Sequence, residues 1–262
     1  AVSMAAGMAR GGYRPYFAVY STFLQRAYDQ IVHDVCLQNL PVCILSDHVG
    51  LVGDDGKTHH GVLSVPMLMS IPNLTLLAPR DTRQIRQAVR ATLKLDGPCV
   101  VQYPKEGIEP YAQNVTGEPF AVGKWQTLIP GGQDAVILAY GRMTQNAIQA
   151  SELLVQRGLS VGVIDCCSLK PLDMDCLRAL FERKAKIVTI EEGEMIGGFG
   201  SEIARVCVEE NADAPVQIIG LENRFITHGS VPELLRECGL MPEQLADRIE
   251  EIAGDKESSH VG

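Results

Sequence analysis

The stretch VCILSDHVGLVGDDGKTHHG, residues 42–61, decides the fold class. Its first five residues form an apolar run with the length of a buried strand, and the rest is a loop of glycine, aspartate and histidine. Similar apolar runs lie at 16–20, 74–78 and 99–103, and helical patterns separate them. Strands that alternate with helices form parallel sheets, so these residues predict an α/β domain.

Two helices are predicted to cover this sheet. The first spans 22–38 and repeats apolar residues at four-residue spacing: Phe23, Ala27, Ile31 and Val35. The second spans 81–94, begins at Asp81 as its N-cap, and has an apolar stripe of Ile85, Ala88, Val89 and Leu93.

A second α/β domain is predicted in the other half of the chain. Strand-like runs recur near 134–139, 160–165, 186–190 and 216–220. Helices are predicted between them, near 144–156, 173–182 and 201–209. The stretch 104–133 is rich in proline and glycine and predicts a linker. The expected organisation is two consecutive parallel-sheet α/β domains, at 1–115 and 122–253, followed by a tail at 254–262.

Composition excludes several classes of protein. Hydrophobic residues make up 46% of the 262, as in folded globular chains. The 32 acidic residues outnumber the 23 basic ones, for a net charge of −9, which disfavours nucleic acid and anionic membranes as partners. No apolar run approaches the roughly 20 residues that cross a bilayer. Most of the eight cysteines lie in apolar patterns, which favours a reduced, cytoplasmic location, and the adjacent Cys166 and Cys167 are interpreted as buried apolar residues.

The loop at 46–61 is the densest polar stretch of the chain. It carries three of the six histidines and follows the carboxyl end of a strand, where parallel sheets bind ligands. The rings of the neighbouring His59 and His60 are expected to diverge, and no spaced Cys or His completes a ligand set, so no metal site is predicted. The loop favours acid–base or polar contact with a substrate, and a surface turn is the alternative.

Two further stretches are candidates for chemistry. YSTFLQRAYD, residues 20–29, runs from a strand end into a helix and presents Tyr20, Phe23 and Arg26 near the helix start. EEGEMIGGFGS, residues 191–201, has its glycines in the order G-G-x-G, which differs from the dinucleotide-binding order G-x-G-x-x-G. The second stretch is therefore interpreted as a structural turn.

Together, YSTFLQRAYDQIVHDV (20–35), GLVGDDGKTHHG (50–61), IPNLTLLAP (71–79) and EEGEMIGGFGSE (191–202) resemble the 1-deoxy-D-xylulose-5-phosphate synthase family. The resemblance covers nearly the whole chain. It implies a thiamine-diphosphate enzyme, homodimeric at full length, that decarboxylates pyruvate and joins the two-carbon unit to glyceraldehyde 3-phosphate, for isoprenoid and vitamin synthesis. It also implies that the first domain is a pyrimidine-binding domain and the second a transketolase C-terminal domain.

The resemblance assigns roles to individual residues. It places Phe23 against the pyrimidine ring of the cofactor. It implies that His59, Asp55 and Tyr20 are catalytic, in the pocket where the bound intermediate meets the second substrate. Three basic residues are directed toward the acceptor phosphate, although the family commonly has arginine at the last two positions: Arg26, His48 and Lys105.

The resemblance also implies a missing part. In this family an amino-terminal domain holds the diphosphate and Mg²⁺, and the Glu that activates the pyrimidine ring lies just upstream of the segment matching Ala1. We therefore expect a fragment that is inactive alone. The alternatives are the C-terminal subunit of a split transketolase-like enzyme and a non-catalytic regulatory module.

Overall fold

The computed structural model describes residues 1–107 and 120–254, which form two five-stranded sheets covered by helices. The first sheet contains four parallel strands in the order β1-β2-β4-β3: β1 (Tyr16–Tyr20), β2 (Cys43–Asp47), β3 (Thr75–Leu77) and β4 (Cys99–Gln102). The predicted strands at 16–20, 42–46, 74–78 and 99–103 agree with these to within one residue at every bound. The two-domain α/β prediction is confirmed.

The helical segments of the first half begin with α1 (Val2–Arg10). The helix predicted at 22–38 is interrupted: it consists of α2 (Ser21–Leu24), a 3₁₀ turn (Gln25–Ala27), α3 (Tyr28–Gln30) and a π-helical turn (Ile31–Cys36). Of the predicted apolar stripe, Ile31 and Val35 are buried, whereas Phe23 is 44% exposed. The prediction that Phe23 belongs to one continuous core-facing stripe is wrong, because Leu24, which is 1% exposed, faces the core in this turn instead. Next comes α4 (Ser64–Met69).

The helix α5 (Thr82–Thr92) begins as predicted, since the carboxylate of Asp81 accepts the N–H of Gln84. Its buried face differs from the predicted stripe. Gln84, Ala88 and Thr92 face the interior, whereas Leu93 is 57% exposed. The polar Gln84 is buried because its side chain joins hydrogen bonds between the two domains.

The second sheet has the order β10-β9-β6-β7-β5. Its strands are β5 (Gln126–Ile129), β6 (Ala135–Ala139), β7 (Val161–Asp165), β9 (Ile187–Glu194) and β10 (Val216–Leu221). Strand β5 lies inside the predicted linker 104–133, so the linker prediction is wrong for that part, and β5 pairs antiparallel with β7. The sheet is therefore mixed rather than wholly parallel. The rest of the linker at 108–119, with the predicted boundary at 115, lies outside the described residues.

The helices of the second half flank this sheet. The three predicted ones are present: α6 (Met143–Gln156), α7 (Met174–Glu182) and α8 (Phe199–Glu209). Two more, absent from the sequence predictions, follow: α9 (Val231–Glu237) and α10 (Pro242–Gly254). Of the predicted tail, Gly254 ends α10, and 255–262 lie outside the described residues.

The two domains are joined by backbone pairing and by a common core. A short strand after β7, β8 (Ser168–Lys170), returns to the first sheet and pairs antiparallel with β3. One core cluster contains Ile44 and Leu76 of the first domain together with Leu138 and Phe199 of the second. The relative position of the domains is thus fixed by buried apolar surface, the dominant favourable contribution to folding.

A buried ion pair also crosses the domain boundary. The Asp165 carboxylate, fully buried at the end of β7, accepts hydrogen bonds from the Arg80 guanidinium and, at 2.7 Å, from Gln84 Nε2. Burial raises the pKa of Asp165, and the contacts with Arg80 and Gln84 oppose that rise. Thr144 Oγ1 also donates to this carboxylate, at 3.4 Å, and the carboxylate depends on these partners because an unpaired buried charge is strongly unfavourable.

The adjacent cysteines of the second domain are free and buried, as predicted. Burial raises the pKa of both the Cys166 and Cys167 thiols, which keeps them protonated and unreactive. Among residues 1–107 and 120–254, no helix has both the length and the apolar character needed to cross a membrane.

Candidate functional site

The candidate site lies at the carboxyl ends of the first two strands. Tyr20 is the last residue of β1 and is the register partner of Asp47, the last residue of β2. This pairing brings the stretch 20–29 beside the loop 46–61, although the two are far apart in sequence. Ligands of parallel sheets bind at this edge, so the two candidate stretches form one site.

An aromatic stack forms the centre of the site. The Tyr20 ring lies parallel to the His48 ring, with centroids 3.6 Å apart, and to the Phe23 ring at 5.3 Å. His59 meets this stack edge-on, with centroids 5.6 Å from Phe23 and 6.4 Å from Tyr20. The predicted residues Tyr20, Phe23 and His59 are thus in mutual contact.

His48 is on the inner side of the stack. His48 is 6% exposed, and its backbone has a φ of 60°. Its Nδ1 lies 3.0 Å from Asp47 Oδ1 without forming a hydrogen bond, and the same oxygen accepts the His48 backbone N–H at 2.6 Å. In this arrangement the ring supports Tyr20 and is shielded from solvent. Its contact with a substrate phosphate stays a prediction.

Asp55, in the loop at 46–61, forms an ion pair with Lys105, which follows β4. Lys105 Nζ donates to Asp55 Oδ2 at 2.7 Å, and both residues are exposed. This hydrogen bond lowers the pKa of Asp55 and raises the pKa of Lys105. Asp55 is therefore an anion at neutral pH, and the Lys105 charge is already compensated by it.

Glu192, which the sequence analysis did not single out, holds one end of the loop. Its buried carboxylate on β9 accepts the N–H of Leu51 at 2.8 Å and lies 3.3 Å from Arg142 Nη1. Burial raises the pKa of Glu192, opposed by Arg142. Gly50 has a φ of +78°, and a Cβ there would lie 2.6 Å from the Glu192 carboxyl carbon. Only glycine permits this approach.

His60 holds the other end of the loop. The residue is 5% exposed, its Nδ1 accepts the N–H of Val52 at 3.1 Å, and its Nε2 donates to the Thr227 carbonyl at 2.8 Å. These partners assign the neutral tautomer with the proton on Nε2. The two neighbouring histidines therefore diverge as predicted, His59 toward the aromatic stack and His60 into the domain interface.

The glycine-rich stretch 191–201 is a structural turn, as predicted. The buried Glu191 carboxylate accepts the N–H groups of Phe199 at 3.0 Å and Gly200 at 2.9 Å, and so caps the start of α8. Burial raises the pKa of Glu191 to about 7.

A cleft of about 370 Å³ opens beside the stack. Phe23, Arg26, Lys57 and His59 line it from the first domain, and residues 224–226 line it from the second. The predicted residue Arg26 is thus close to Phe23 and His59. Within the part of the chain that the structure describes, no group of three His, Cys, Asp or Glu side chains is arranged to hold a metal ion.

Comparison with known families identifies both domains. Residues 1–109 match the transketolase pyrimidine-binding domain, and residues 123–245 match the transketolase C-terminal domain. The chain therefore belongs to the transketolase family, as two consecutive domains of that type.

Within this family, the curated relatives that the chain resembles are 1-deoxy-D-xylulose-5-phosphate synthases. The chain is 42% identical over 264 residues to the 1-deoxy-D-xylulose-5-phosphate synthase of Synechococcus elongatus, covering 98% of this chain and 40% of the relative. It is 42% identical over 243 residues to the synthase of Thermus thermophilus, covering 93% and 38%. The chain corresponds to the pyrimidine-binding and C-terminal domains of these synthases and spans about two fifths of their length.

Solved structures agree on the fold. A split gene transketolase, described as an inactive beta4 tetramer, superposes with a TM-score of 0.86 and 28% identity, covering 97% of this chain and 81% of the other. The transketolase of Campylobacter jejuni superposes with a TM-score of 0.79 over 95% of this chain and 38% of its own. At 18% identity the second likeness shows the fold alone.

The site is compatible with part of thiamine diphosphate. A pyrimidine ring stacks favourably on an aromatic face, and Phe23 offers a partly exposed ring beside the cleft. The described residues include no acidic metal cluster that would hold the diphosphate through Mg²⁺. The fit therefore concerns the pyrimidine end of the cofactor.

Proposed function

We propose that this chain is the pyrimidine-binding and C-terminal portion of a thiamine-diphosphate-dependent synthase. The enzyme condenses pyruvate with glyceraldehyde 3-phosphate with loss of CO₂, and supplies precursors of isoprenoids, thiamine and pyridoxal. The observation that carries the proposal is the contact of Tyr20, Phe23 and His59 at the strand ends, with the Asp55 anion nearby. These residues belong to the stretches that resemble the synthases.

We assign the following roles to the residues of the site. Phe23 stacks on the pyrimidine ring of the cofactor, which when bound supplies an electron sink for decarboxylation. His59 donates or accepts a proton at the substrate oxygen, a task suited to imidazole at neutral pH. Asp55 and Tyr20 orient the substrate by hydrogen bonds. Arg26, His48 and Lys105 are assigned to the phosphate end of the acceptor.

The complete catalytic centre requires a further domain. We propose that the diphosphate and Mg²⁺ are held there, so that the chain alone is inactive and the full-length protein is a cytoplasmic homodimer. The greater length of the synthases supports the proposal that a further domain holds the diphosphate and Mg²⁺. The eight free cysteines are consistent with a reducing compartment.

A second candidate is a subunit of a split transketolase-like enzyme. It is favoured by the likeness to the split gene transketolase, since this chain covers 81% of that protein but only about two fifths of the synthases. In this case a separate chain carries the diphosphate domain.

Reconstitution tests the proposal. The chain is combined with a polypeptide carrying the diphosphate domain, fused or separate, and incubated with [2-¹³C]pyruvate, glyceraldehyde 3-phosphate, thiamine diphosphate and Mg²⁺. We expect CO₂ release and a labelled five-carbon ketose phosphate by NMR. Activity only with an unphosphorylated aldehyde or a ketose donor would favour the transketolase-like candidate. A cofactor-loaded complex that turns over none of these substrates would contradict both.

A further inference from the structure

We propose that the cavity between the two domains, lined by Gln102 of the first and Arg142 of the second, binds a small monovalent anion of chloride size. Val49 of the loop at 46–61 and Glu192 of β9 also line it. None of the lining residues belongs to the aromatic stack. The proposal therefore does not rest on the proposed function.

Gln102, at the end of β4, has a buried amide nitrogen without an acceptor. The residue is 2% exposed, and its Oε1 accepts a hydrogen bond from the hydroxyl of Ser64 at 3.0 Å. Within residues 1–107 and 120–254, no atom accepts a hydrogen bond from its Nε2. Buried polar groups are almost always hydrogen-bonded, because an unpaired buried donor is unfavourable. The amide therefore indicates an acceptor from outside the described residues.

Arg142 presents two more such donors to the same cavity. Its side chain is 11% exposed, and neither Nη1 nor Nη2 has a hydrogen-bond partner in the part of the chain that the structure describes. Glu192 Oε1 lies 3.3 Å from Nη1 as an ion-pair partner, and the same oxygen accepts the N–H of Leu51 at 2.8 Å. A guanidinium has five N–H donors, so Arg142 can hold Glu192 and a second acceptor together.

The start of α6 adds a positive potential at this place. Arg142 is the N-cap of this 14-residue helix, no side chain caps it, and its first turn contains no acidic residue. The N-terminus of a helix attracts anions, because its first N–H groups lack partners within the helix and its dipole is positive there. The helix end and the three unpartnered donors thus favour the same sign of ligand.

The three donors distinguish an anion from other small ligands. A cation is repelled by Arg142, and a water molecule has two lone pairs for three donors and needs acceptors for its own protons. A spherical anion accepts from all three nitrogen atoms and needs no acceptor. The cavity volume of about 20 Å³ is slightly more than one water molecule needs, so the cavity admits a chloride-sized ion and excludes a phosphate ester.

An anion in this cavity supports the loop that carries the candidate catalytic residues. Arg142 contacts Glu192, and Glu192 accepts the N–H of Leu51 in that loop. An anion that fixes the guanidinium therefore stabilises this contact. Because the site exists only in the folded chain, binding also raises the melting temperature.

Bromide, a heavy analogue of chloride, tests the site directly in crystals of this chain. The crystals are soaked in sodium bromide, and we expect an anomalous difference peak between Arg142 and Gln102. In solution, the melting temperature is measured at constant sodium concentration while chloride or bromide replaces the larger gluconate. We expect the melting temperature to rise and to saturate with either halide.

Gln102→Glu is the decisive variant. It keeps an oxygen for the Ser64 hydroxyl and replaces the amide donor by a carboxylate, so we expect no bromide peak and no halide-dependent rise. Gln102→Leu, which removes the donor without adding a charge, should weaken the apparent halide affinity roughly tenfold. Gln156→Glu, at the exposed far end of α6, adds the same charge as Gln102→Glu and should respond like the wild type.

Each result decides for or against the site. A bromide peak in the wild type, with a halide response that Gln102→Glu abolishes, supports it. Density for water alone, with no anomalous peak at saturating bromide, overturns it, and so does an equal melting temperature in halide and gluconate. If Gln102→Glu does not fold, an unchanged halide affinity in Gln102→Leu overturns the site. Because no turnover is measured, failure of reconstitution leaves this outcome intact.

Discussion

His60 Nε2 donates a hydrogen bond to the Thr227 carbonyl across the domain interface, at 2.8 Å. On the other side of the ring, Nδ1 accepts the N–H of Val52, so one side chain joins the loop at 46–61 to the second domain. The neighbouring residue, His59, faces the aromatic stack. The second domain thus positions the loop that carries the candidate catalytic residues.

Substitution of His60 should therefore destabilise the chain. His60→Ala leaves the Val52 N–H and the Thr227 carbonyl buried without partners, and we expect a loss of about 2–4 kcal/mol in the free energy of unfolding. Chemical denaturation measures it. His60→Gln, which retains a donor and an acceptor, should recover part of the loss. His33→Ala, at an exposed histidine, is the control. Equal stability of His60→Ala and His33→Ala would contradict the role of His60 in joining the loop to the second domain.

Substitution of Asp165, the buried carboxylate in the other contact between the domains, should destabilise the chain more than substitution of His60. Asp165→Ala removes the buried carboxylate that both Arg80 and Gln84 bind, leaving Arg80 with Asp81 at 3.4 Å, and we expect a loss of about 3–5 kcal/mol. Asp96→Ala, which removes an exposed carboxylate 3.7 Å from Arg14, should cost less than about 1 kcal/mol. Urea denaturation of the two variants compares them directly, and similar midpoints would show that the buried pair contributes little.

Glu191 should make stability depend on pH. Burial raises its pKa from 4.5 to about 7, so the folded state disfavours the ionised form. The contribution of Glu191 to the free energy of unfolding is complete below about pH 4.5. It is lost as the pH rises through 7, which lowers the free energy of unfolding by up to about 3 kcal/mol. Relative to the wild type, Glu191→Gln should therefore gain stability between pH 4.5 and 8. Urea denaturation across this range measures the difference, and a constant difference would contradict the assignment.

Binding of thiamine diphosphate should require the further domain. Only the pyrimidine end fits the described residues, so we expect the chain alone to bind the cofactor and Mg²⁺ with an affinity weaker than about 1 μM, by calorimetry. In the reconstituted protein Phe23→Ala should weaken cofactor binding, because it removes the stacking face. Sub-micromolar binding by the chain alone would contradict this division of the cofactor site.

The sequence was sufficient for the parts of the fold that local patterns determine. The apolar runs of β1, β2 and β6 and the Asp81 N-cap are readable because strand burial and capping leave signals within a few residues. The loop at 46–61 was identified by its composition and by its place after β2. The prediction that Tyr20, Phe23 and His59 form one site is explained by the register of β1 with β2.

Features that depend on distant partners could not be predicted in this way. Strands β5 and β8 are short, and antiparallel pairing with distant strands makes them part of the sheets. The burial of Gln84 follows from its bond to Asp165, 81 residues away. The contact of Glu192 with Leu51 spans 141 residues, and no local pattern signals it.

The most direct test of the central claim, that this chain supplies catalytic residues to a synthase, is the turnover number of the reconstituted enzyme with His59→Ala. We predict a loss of about 10²–10⁴ in kcat, because a positioned acid–base group is removed, with the melting temperature unchanged. His33→Ala should have the kcat of the wild type. Unchanged kcat in His59→Ala, or a loss explained by a lower melting temperature, would contradict the account.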